Sequence, residues 1–413
     1  MSGAWQLSAT EAARLIAARE LSSEELVSSC LERVEEREPE LRAWAYLDPE
    51  AALLQARERD GGGPARGPLH GIPVGVKDLV DTADMPTAYG SPIYVGHRPQ
   101  RDADCVTTLR EAGAVVLGKT VTTEFATYEP PPTVNPHDPA RTPGGSSSGS
   151  AAAVAAGMVP LALGSQTAGS VIRPASFCGI AGFKPAHGWR STGGIKRLSE
   201  RLDTLGVLAR SVADAALLGG FAAPALQEAR VGFCRTPWWD ELEDGGRAAL
   251  EDAAARLGAT EIALPAEFGG LAGAQETVMA FDVVRSLEPE WREHRDGLSD
   301  ALRDYLERGR TVTAESVAAG LALGERCRAA LPVVLAGVDA LLVPGALGEA
   351  PLRSEGHTGS PLLCRAWTFL GVPAISVPGP VGPAGMPVGV QVVGLAEPAV
   401  LGVAAWAERL LRG

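Results

Sequence analysis

Hydrophobic positions in the first sixty residues follow helical spacing. Apolar side chains recur at intervals of three to four residues at Leu26, Val27, Leu31 and Val34. The capping-box pattern Ser-x-x-Glu stands before this stretch at residues 22–25, and again at residues 8–11. A third helix is predicted from about residue 49 to residue 60, where three glycines end it. We therefore expect residues 1–63 to form a helical segment packed on a larger body.

From residue 68 onward, short apolar runs alternate with helical stretches. Strands are predicted at residues 71–76, 114–117, 161–163, 338–343, 374–377 and 388–393. Helices are predicted at about 102–112, 150–156 and 399–411, with charge-rich helical stretches in 288–310. This alternation favours an α/β fold whose sheet is covered by helices on both faces. We see no linker or repeat, so residues 1–413 are predicted to form a single domain. Residues 231–335, rich in tryptophan and charge, are expected to be a variable, substrate-facing helical section.

Composition and charge exclude several classes of protein. The chain has 413 residues, 46% hydrophobic and 21% charged, which is typical of a folded protein. Its 37 basic and 50 acidic residues give a formal net charge of −13, so nucleic acid is not expected as a partner. The sequence shows no signal peptide or membrane span, and its six scattered cysteines fit reduced thiols. We expect a cytoplasmic protein.

Two short motifs match known catalytic patterns but lie in the wrong context. Residues 113–120 match the phosphate-binding pattern GxxxxGK[ST], yet the four residues between the glycines are strand formers rather than a loop. Residues 145–149 match the nucleophile elbow GxSxG, but the three prolines in residues 135–143 exclude the strand that must precede it. The histidines show no metal-ligand spacing, and no metal site is predicted.

Three other segments combine a lysine with small residues and serines. Lys77 ends the apolar run at 71–76, where burial would lower its pKa toward the range of a general base. Ser146 lies in a Gly-Gly-Ser-Ser-Ser-Gly-Ser run that leads directly into an alanine-rich helix, so this run is expected to be ordered. Small residues precede Ser170, and they allow backbone N–H groups to converge as an oxyanion hole requires.

These segments resemble the amidase signature family. The resemblance runs from about residue 68 to residue 214 and resumes at 339–394, including Gly-Val-Pro-Ala-Ile-Ser-Val-Pro at 371–378. It implies one compact α/β/α domain around a large mixed β-sheet, and no metal or organic cofactor. By this resemblance, Ser170 is the nucleophile, Ser146 is the bridging serine on a cis peptide bond, and Lys77 is the base.

The implied activity is hydrolysis of a small-molecule carboxamide through an acyl-enzyme intermediate, with release of ammonia or an amine. The oxyanion hole would be formed by the backbone amides of four residues, Thr167, Ala168, Gly169 and Ser170. We expect substrate contacts from Gly144, Gly145 and Tyr128. A homodimer is the default expectation for the assembly.

The chain departs from the family pattern at two positions. Gln166 stands where the family commonly has Asp, and Ala168 where it has Gly. The chain also resembles the A subunits of glutamine-dependent tRNA amidotransferases, which remains an alternative function. Those subunits usually carry an acid shortly before the 371–378 motif, whereas residues 358–365 contain none. This difference argues against glutamine as the donor. A binding protein that has lost catalysis is a third hypothesis, disfavoured because all three catalytic residues are present.

Overall fold

The computed structural model of the chain describes residues 3–225 and 228–412, so five residues of the predicted 1–413 domain lie outside the described part: 1, 2, 226, 227 and 413. Within it, eleven strands form one sheet: β1 Trp44–Leu47, β2 Pro73–Lys77, β3 Val115–Thr120, β4 Leu161–Gln166, β5 Ala181–Lys184, β6 Thr204–Ala209, β7 Val231–Phe233, β8 Thr260–Glu261, β9 Ala340–Pro344, β10 Ala374–Val377 and β11 Val390–Val393.

The sheet is mixed, as the resemblance implies. Its strand order is β1-β3-β2-β4-β6-β5-β10-β11-β9-β7-β8. Strand β2 pairs in parallel with both β3 and β4, and β7 pairs in parallel with β8 and β9. The central strands from β4 to β9 pair antiparallel with one another. The predicted α/β class is therefore confirmed.

The described residues contain fourteen α-helices: α1 Ala9–Ala17, α2 Ser23–Leu41, α3 Pro49–Asp60, α4 Asp104–Glu111, α5 Ser148–Ala155, α6 Ile172–Cys178, α7 Val212–Gly219, α8 Asp244–Arg256, α9 Leu271–Ser286, α10 Glu288–Glu293, α11 Asp300–Gly309, α12 Ala314–Val334, α13 Leu362–Phe369 and α14 Glu397–Arg412. Helix α2 begins with the complete predicted capping box, in which Ser22 and Glu25 bond each other's backbone N–H groups.

Helices cover both faces of the sheet. Successive side chains of a strand point to opposite faces, and along β9 they enter two separate hydrophobic clusters. Ala340 and Leu342 belong to the cluster that contains α2, α5, α7 and α14. Leu341 and Val343 belong to the cluster that contains α9, α11, α12 and α13. The section 231–335 thus supplies much of the second layer, although it also contains β7 and β8, which the sequence pattern did not predict.

Both misleading motifs lie outside the contexts that their chemistry needs. The glycine–lysine–threonine end of the phosphate-binding pattern is part of β3, where the buried Lys119 forms an ion pair with Asp78 at 3.2 Å. Ser147 of the elbow pattern is buried before α5, and its hydroxyl contacts the backbone of Ser165.

The six cysteines are free and buried. None of the helices in the described part of the chain is long and apolar enough to cross a bilayer.

Candidate active site

The parallel pairing of β2 with β4 sets the position of the site. Lys77 is the last residue of β2, and its neighbour β4 ends at Gln166. Since parallel strands end at the same edge of a sheet, the lysine lies beside the segment that leads to Ser170. Helix α5 begins shortly after Ser146, and α6 shortly after Ser170. The two serine loops therefore meet at the edge where Lys77 ends its strand.

The Lys77 side chain is fully buried among hydroxyl groups. Its Nζ lies 2.7 Å from Ser146 Oγ and 2.9 Å from Ser165 Oγ. Burial lowers the pKa of Lys77 to about 7, because the ammonium loses its hydration, while the charge of Asp203 partly opposes this change. A substantial fraction of the amine is therefore uncharged near neutral pH, with a lone pair available to accept a proton.

The loop before α5 is fixed by close backbone contacts. Gly144 has a φ of +84°, and a Cβ there would lie 2.8 Å from the Pro174 Cα, so only glycine fits. The peptide bond from Gly145 to Ser146 is cis. Arg173 Nη2 donates to the Gly145 carbonyl at 2.6 Å. These contacts hold Ser146 at the site.

The loop between β4 and α6 presents the proposed nucleophile and free backbone donors. Ser147 N donates to the Ser170 carbonyl at 3.3 Å, which ties the two serine loops together. Ser170 keeps 8% of its surface exposed, enough to be reached. No acceptor among the described residues bonds the backbone N–H groups of Ala168, Gly169 and Ser170. Free backbone donors of this kind can stabilise a developing oxyanion.

A small cavity of about 30 Å³ opens over this loop. Its lining consists of Ala126, Thr127, Tyr128, Thr167, Ala168, Gly169, Ser170, Arg173, Met279, Thr358, Gly359 and Pro361. All four predicted oxyanion-hole residues and Tyr128 line it, and Met279 comes from the predicted substrate-facing section. Gly144 and Gly145 are not in this lining, so their contact with substrate stays a prediction. None of these described lining residues carries a carboxylate.

Arg173 is a cavity residue that the sequence reasoning did not single out. It follows Ser170 by three positions. Its side chain is buried, and its Nε and Nη1 atoms have no hydrogen-bond partner among the described residues. Burial lowers the pKa of Arg173 to about 10. The guanidinium can therefore donate hydrogen bonds to an oxygen atom of a substrate.

The Gln166 amide explains how the chain tolerates one departure from the family pattern. Its Oε1 accepts hydrogen bonds from Val171 N at 2.9 Å and Ile172 N at 3.1 Å. A carboxylate at this position would act through the same acceptor oxygens. Glutamine thus keeps the bonds that hold the start of α6, while it places no negative charge there.

Comparison with known proteins gives matches over most of the chain. The family model described as Amidase matches residues 25–223. A solved crystal structure of an amidase superposes with a TM-score of 0.90 and 34% identity, covering 98% of this chain and 100% of that one.

The chain belongs to the amidase family.

Two other relatives have names that describe different activities. The native peptide amidase from Stenotrophomonas maltophilia superposes with a TM-score of 0.85 and 30% identity, over 99% of this chain and 97% of that one. The A subunit of the glutamyl-tRNA(Gln) amidotransferase from Chloroflexus aggregans is 40% identical over 297 residues, or 63% of this chain and 60% of the relative. The chain spans between 45% and 65% of the length of the curated relatives it matches. The expected class, an amide C–N hydrolase, agrees with the names of the solved relatives.

Proposed function

We propose that this amidase-family chain hydrolyses a small-molecule carboxamide, with Ser170 as nucleophile, Ser146 as proton relay and Lys77 as base. The observation that carries the proposal is the 2.7 Å contact between the buried Lys77 Nζ and Ser146 Oγ, beside the loop of Ser170. A cytoplasmic location and the lack of a nucleic-acid partner belong to the same proposal.

In the first half of the reaction, uncharged Lys77 accepts the Ser146 hydroxyl proton, and Ser146 takes the proton of Ser170. The Ser170 oxygen then forms a bond to the amide carbon, and the carbonyl electron pair moves to oxygen. The free N–H groups of Ala168 and Gly169 stabilise that oxyanion. As the carbon–nitrogen bond breaks, the proton held by Lys77 returns through Ser146 to the departing nitrogen.

In the second half, water replaces the amine. Lys77 again accepts a proton through Ser146, this time from the attacking water, whose oxygen bonds to the acyl carbon. The ester bond to Ser170 breaks, and the serine recovers its proton from the same relay. The products are a carboxylic acid and ammonia or an amine. The neutral lysine acts here in the way histidine acts in other serine hydrolases.

The cavity chemistry favours a free-standing amidase over a component of an amidotransferase. The ammonium group of glutamine would need an anionic partner, and none of the described residues that line the cavity carries a carboxylate. Arg173 Nε and Nη1, which have no partner among the described residues, can bind a carboxylate, but glutamine has one too, so they do not separate the two functions. The amidotransferase function stays the alternative, since a curated relative of that name is 40% identical over 297 residues.

A panel of amides tests the proposal. The purified chain is incubated with aliphatic, aryl and amino-acid amides, glutamine included, and released ammonia or amine is measured. We expect hydrolysis of at least one neutral or anionic amide, and a loss of at least about 10³-fold in Ser170→Ala and in Lys77→Met. Unchanged hydrolysis in either variant would refute the mechanism. Activity that requires glutamine and partner chains would favour the alternative.

A further inference from the structure

Two consecutive carbonyl groups of the Ser170 loop are each held by a buried side chain from another part of the chain. Gln275 Nε2, on α9, donates to the Thr167 carbonyl at 2.8 Å. Thr368 Oγ1, on α13, donates to the Ala168 carbonyl at 2.7 Å. Neither of these two side chains lines the cavity over the Ser170 loop. They therefore contact the loop on the side that faces away from the cavity.

Holding a carbonyl fixes the direction of the next N–H group. A trans peptide unit is planar, and its C=O and N–H groups point in opposite directions. The bond to the Thr167 carbonyl therefore turns the N–H of Ala168 away from Gln275. In the same way, the bond to the Ala168 carbonyl turns the N–H of Gly169 away from Thr368. These N–H groups have no acceptor among the described residues, and their residues line the cavity.

The unusual Gln166 determines the direction of the Thr368 hydroxyl. Gln166 Nε2 donates to Thr368 Oγ1 at 2.9 Å. A hydroxyl has one hydrogen, so a threonine that accepts this bond keeps that hydrogen for the Ala168 carbonyl. An aspartate at position 166 has no hydrogen to donate when it is ionised. Gln166 and Thr368 are thus a matched pair in this chain.

Arg365 orients Gln275 in a corresponding way. Arg365 Nη1 donates to Gln275 Oε1, so the Nε2 end of the amide must face the Thr167 carbonyl. Arg365 also lies 3.3 Å from Glu276 Oε2. Because Arg365 and Thr368 are three residues apart on α13, they lie on neighbouring positions of one helix face. A single helix therefore supports both peptide units.

We propose that Thr368 and Gln275 are positioning residues that aim the Ala168 and Gly169 N–H groups at the oxyanion, with Gln166 and Arg365 orienting them. This inference rests on the proposed function, and it assigns a role to Gln166, one of the two residues at which the chain departs from the family pattern. Helices α9 and α13 thereby help to stabilise the transition state by orienting the loop, although the side chains of Gln275 and Thr368 do not contact the substrate.

The rate at which a fluorophosphonate labels Ser170 tests the inference, because the phosphoryl oxygen occupies the oxyanion position. We expect Thr368→Val to slow labelling by about 10- to 100-fold, with no shift of the pH dependence that Lys77 sets. Thr368→Ser, which keeps the hydroxyl, restores most of the rate. Gln166→Glu keeps the acceptor oxygens but cannot donate a hydrogen bond to Thr368. It should slow labelling to a similar extent, measured at a pH where the labelling rate has reached its maximum. The double variant should be no slower than the slower single variant.

Thr236→Val is the matched control, since Thr236 is buried and its hydroxyl has no partner among the described residues. Unfolding midpoints of all variants report any loss of folded protein. The inference is wrong if Thr368→Val labels as fast as Thr236→Val, or if Thr368→Ser is as slow as Thr368→Val. A Ser170→Ala variant that still labels would instead refute the proposed function, so the two failures are distinguishable.

Discussion

Three buried lysines, each in a strand of the sheet, have different partners. Lys119 in β3 is paired with the Asp78 carboxylate. Within the described part of the chain, Lys184 in β5 donates only to the carbonyls of Pro185 and Val372. Lys77 in β2 instead contacts the hydroxyls of two serines. Burial lowers the pKa of all three. In the proposed mechanism, Lys77 differs because its proton can pass to a hydroxyl beside the loop of Ser170.

The pH dependence of Ser170 labelling tests the role of Lys77. The rate should rise with pH along a limb centred near pH 7, since the base must be uncharged and the pKa of Lys77 is lowered to about 7. Asp203 raises this pKa, so Asp203→Asn should move the limb to lower pH.

Thr167→Val is the control for that shift. It removes the 2.6 Å bond from Thr167 to Asp203 but keeps the carboxylate, whose charge is still stabilised by hydrogen bonds from Leu198 N and Ser199 N. We expect a lower plateau without a comparable displacement of the limb. A limb that moves to higher pH in Asp203→Asn, or does not move at all, would show that the titrating group is not Lys77.

The residues that could be predicted from sequence lie in short continuous motifs. Lys77, Ser146 and Ser170 each stand in such a motif, and their proposed roles follow from the resemblance. Gln275 and Thr368 could not be found in this way, because their loop partners lie 108 and 200 positions away in sequence. Only the fold brings these side chains to the loop, and neither has a local signature.

At the scale of elements, some strands were predicted from their apolar runs and others were missed. β10 has the predicted bounds, 374–377, whereas β5 and β6 were missed. Gly182 in β5 and Gly206 in β6 interrupt their apolar runs, and glycine weakens a strand signal.

The same two glycines allow the Ser170 loop and the start of α6 to pack closely against the sheet. A Cβ at Gly182 would lie 2.4 Å from Ala175 Cβ on α6, and one at Gly206 would lie 2.6 Å from a methyl group of Val171. The features that hide β5 and β6 from pattern analysis are therefore required for packing next to Ser170.

Helix boundaries were predicted well where a cap or a glycine marks them. Helix α3 spans 49–60 as expected, since Asp48 accepts a bond from Ala51 N and glycines follow the helix. The charged stretch 288–310 is divided into α10 and α11, because a turn at residues 295–297 separates them. Helical composition predicts the type of element here, but the turn depends on packing.

For the whole molecule, the fold class followed from the alternation of strands and helices, and the mixed sheet from the family resemblance. The strand order could not be derived, since β5 lies between β6 and β10, strands from distant parts of the sequence. Long-range pairing of this kind leaves no periodic trace in the sequence. It is nevertheless what places β2 beside β4, and hence Lys77 beside the loop to Ser170.

The burial of Lys184 should make the stability of the whole molecule depend on pH. Its pKa is lowered to about 7 in the folded chain, against roughly 10.4 when unfolded. Between these values the unfolded chain binds a proton that the folded chain does not, so the free energy of unfolding rises with pH. The contribution is about 1.4 kcal/mol per pH unit. Lys184→Met removes it.

Urea unfolding of wild type and Lys184→Met from pH 7.5 to 8.5 measures this contribution. The difference between the two unfolding free energies should change by about 1.4 kcal/mol over that unit. The range stops at pH 8.5 because the buried thiols have raised pKa values, as at Cys30, and lower stability in stronger base. A difference that stays constant with pH would mean that Lys184 is not desolvated as described.

The most direct test of the central claim is to map the site of covalent labelling by mass spectrometry. The folded chain is treated with a fluorophosphonate near pH 8, and the adduct is located by peptide mapping. The account predicts one adduct, on Ser170, absent in Ser170→Ala and formed at least about 100-fold more slowly in Lys77→Met. An adduct on a different residue, or amide hydrolysis without any adduct at Ser170, would contradict it.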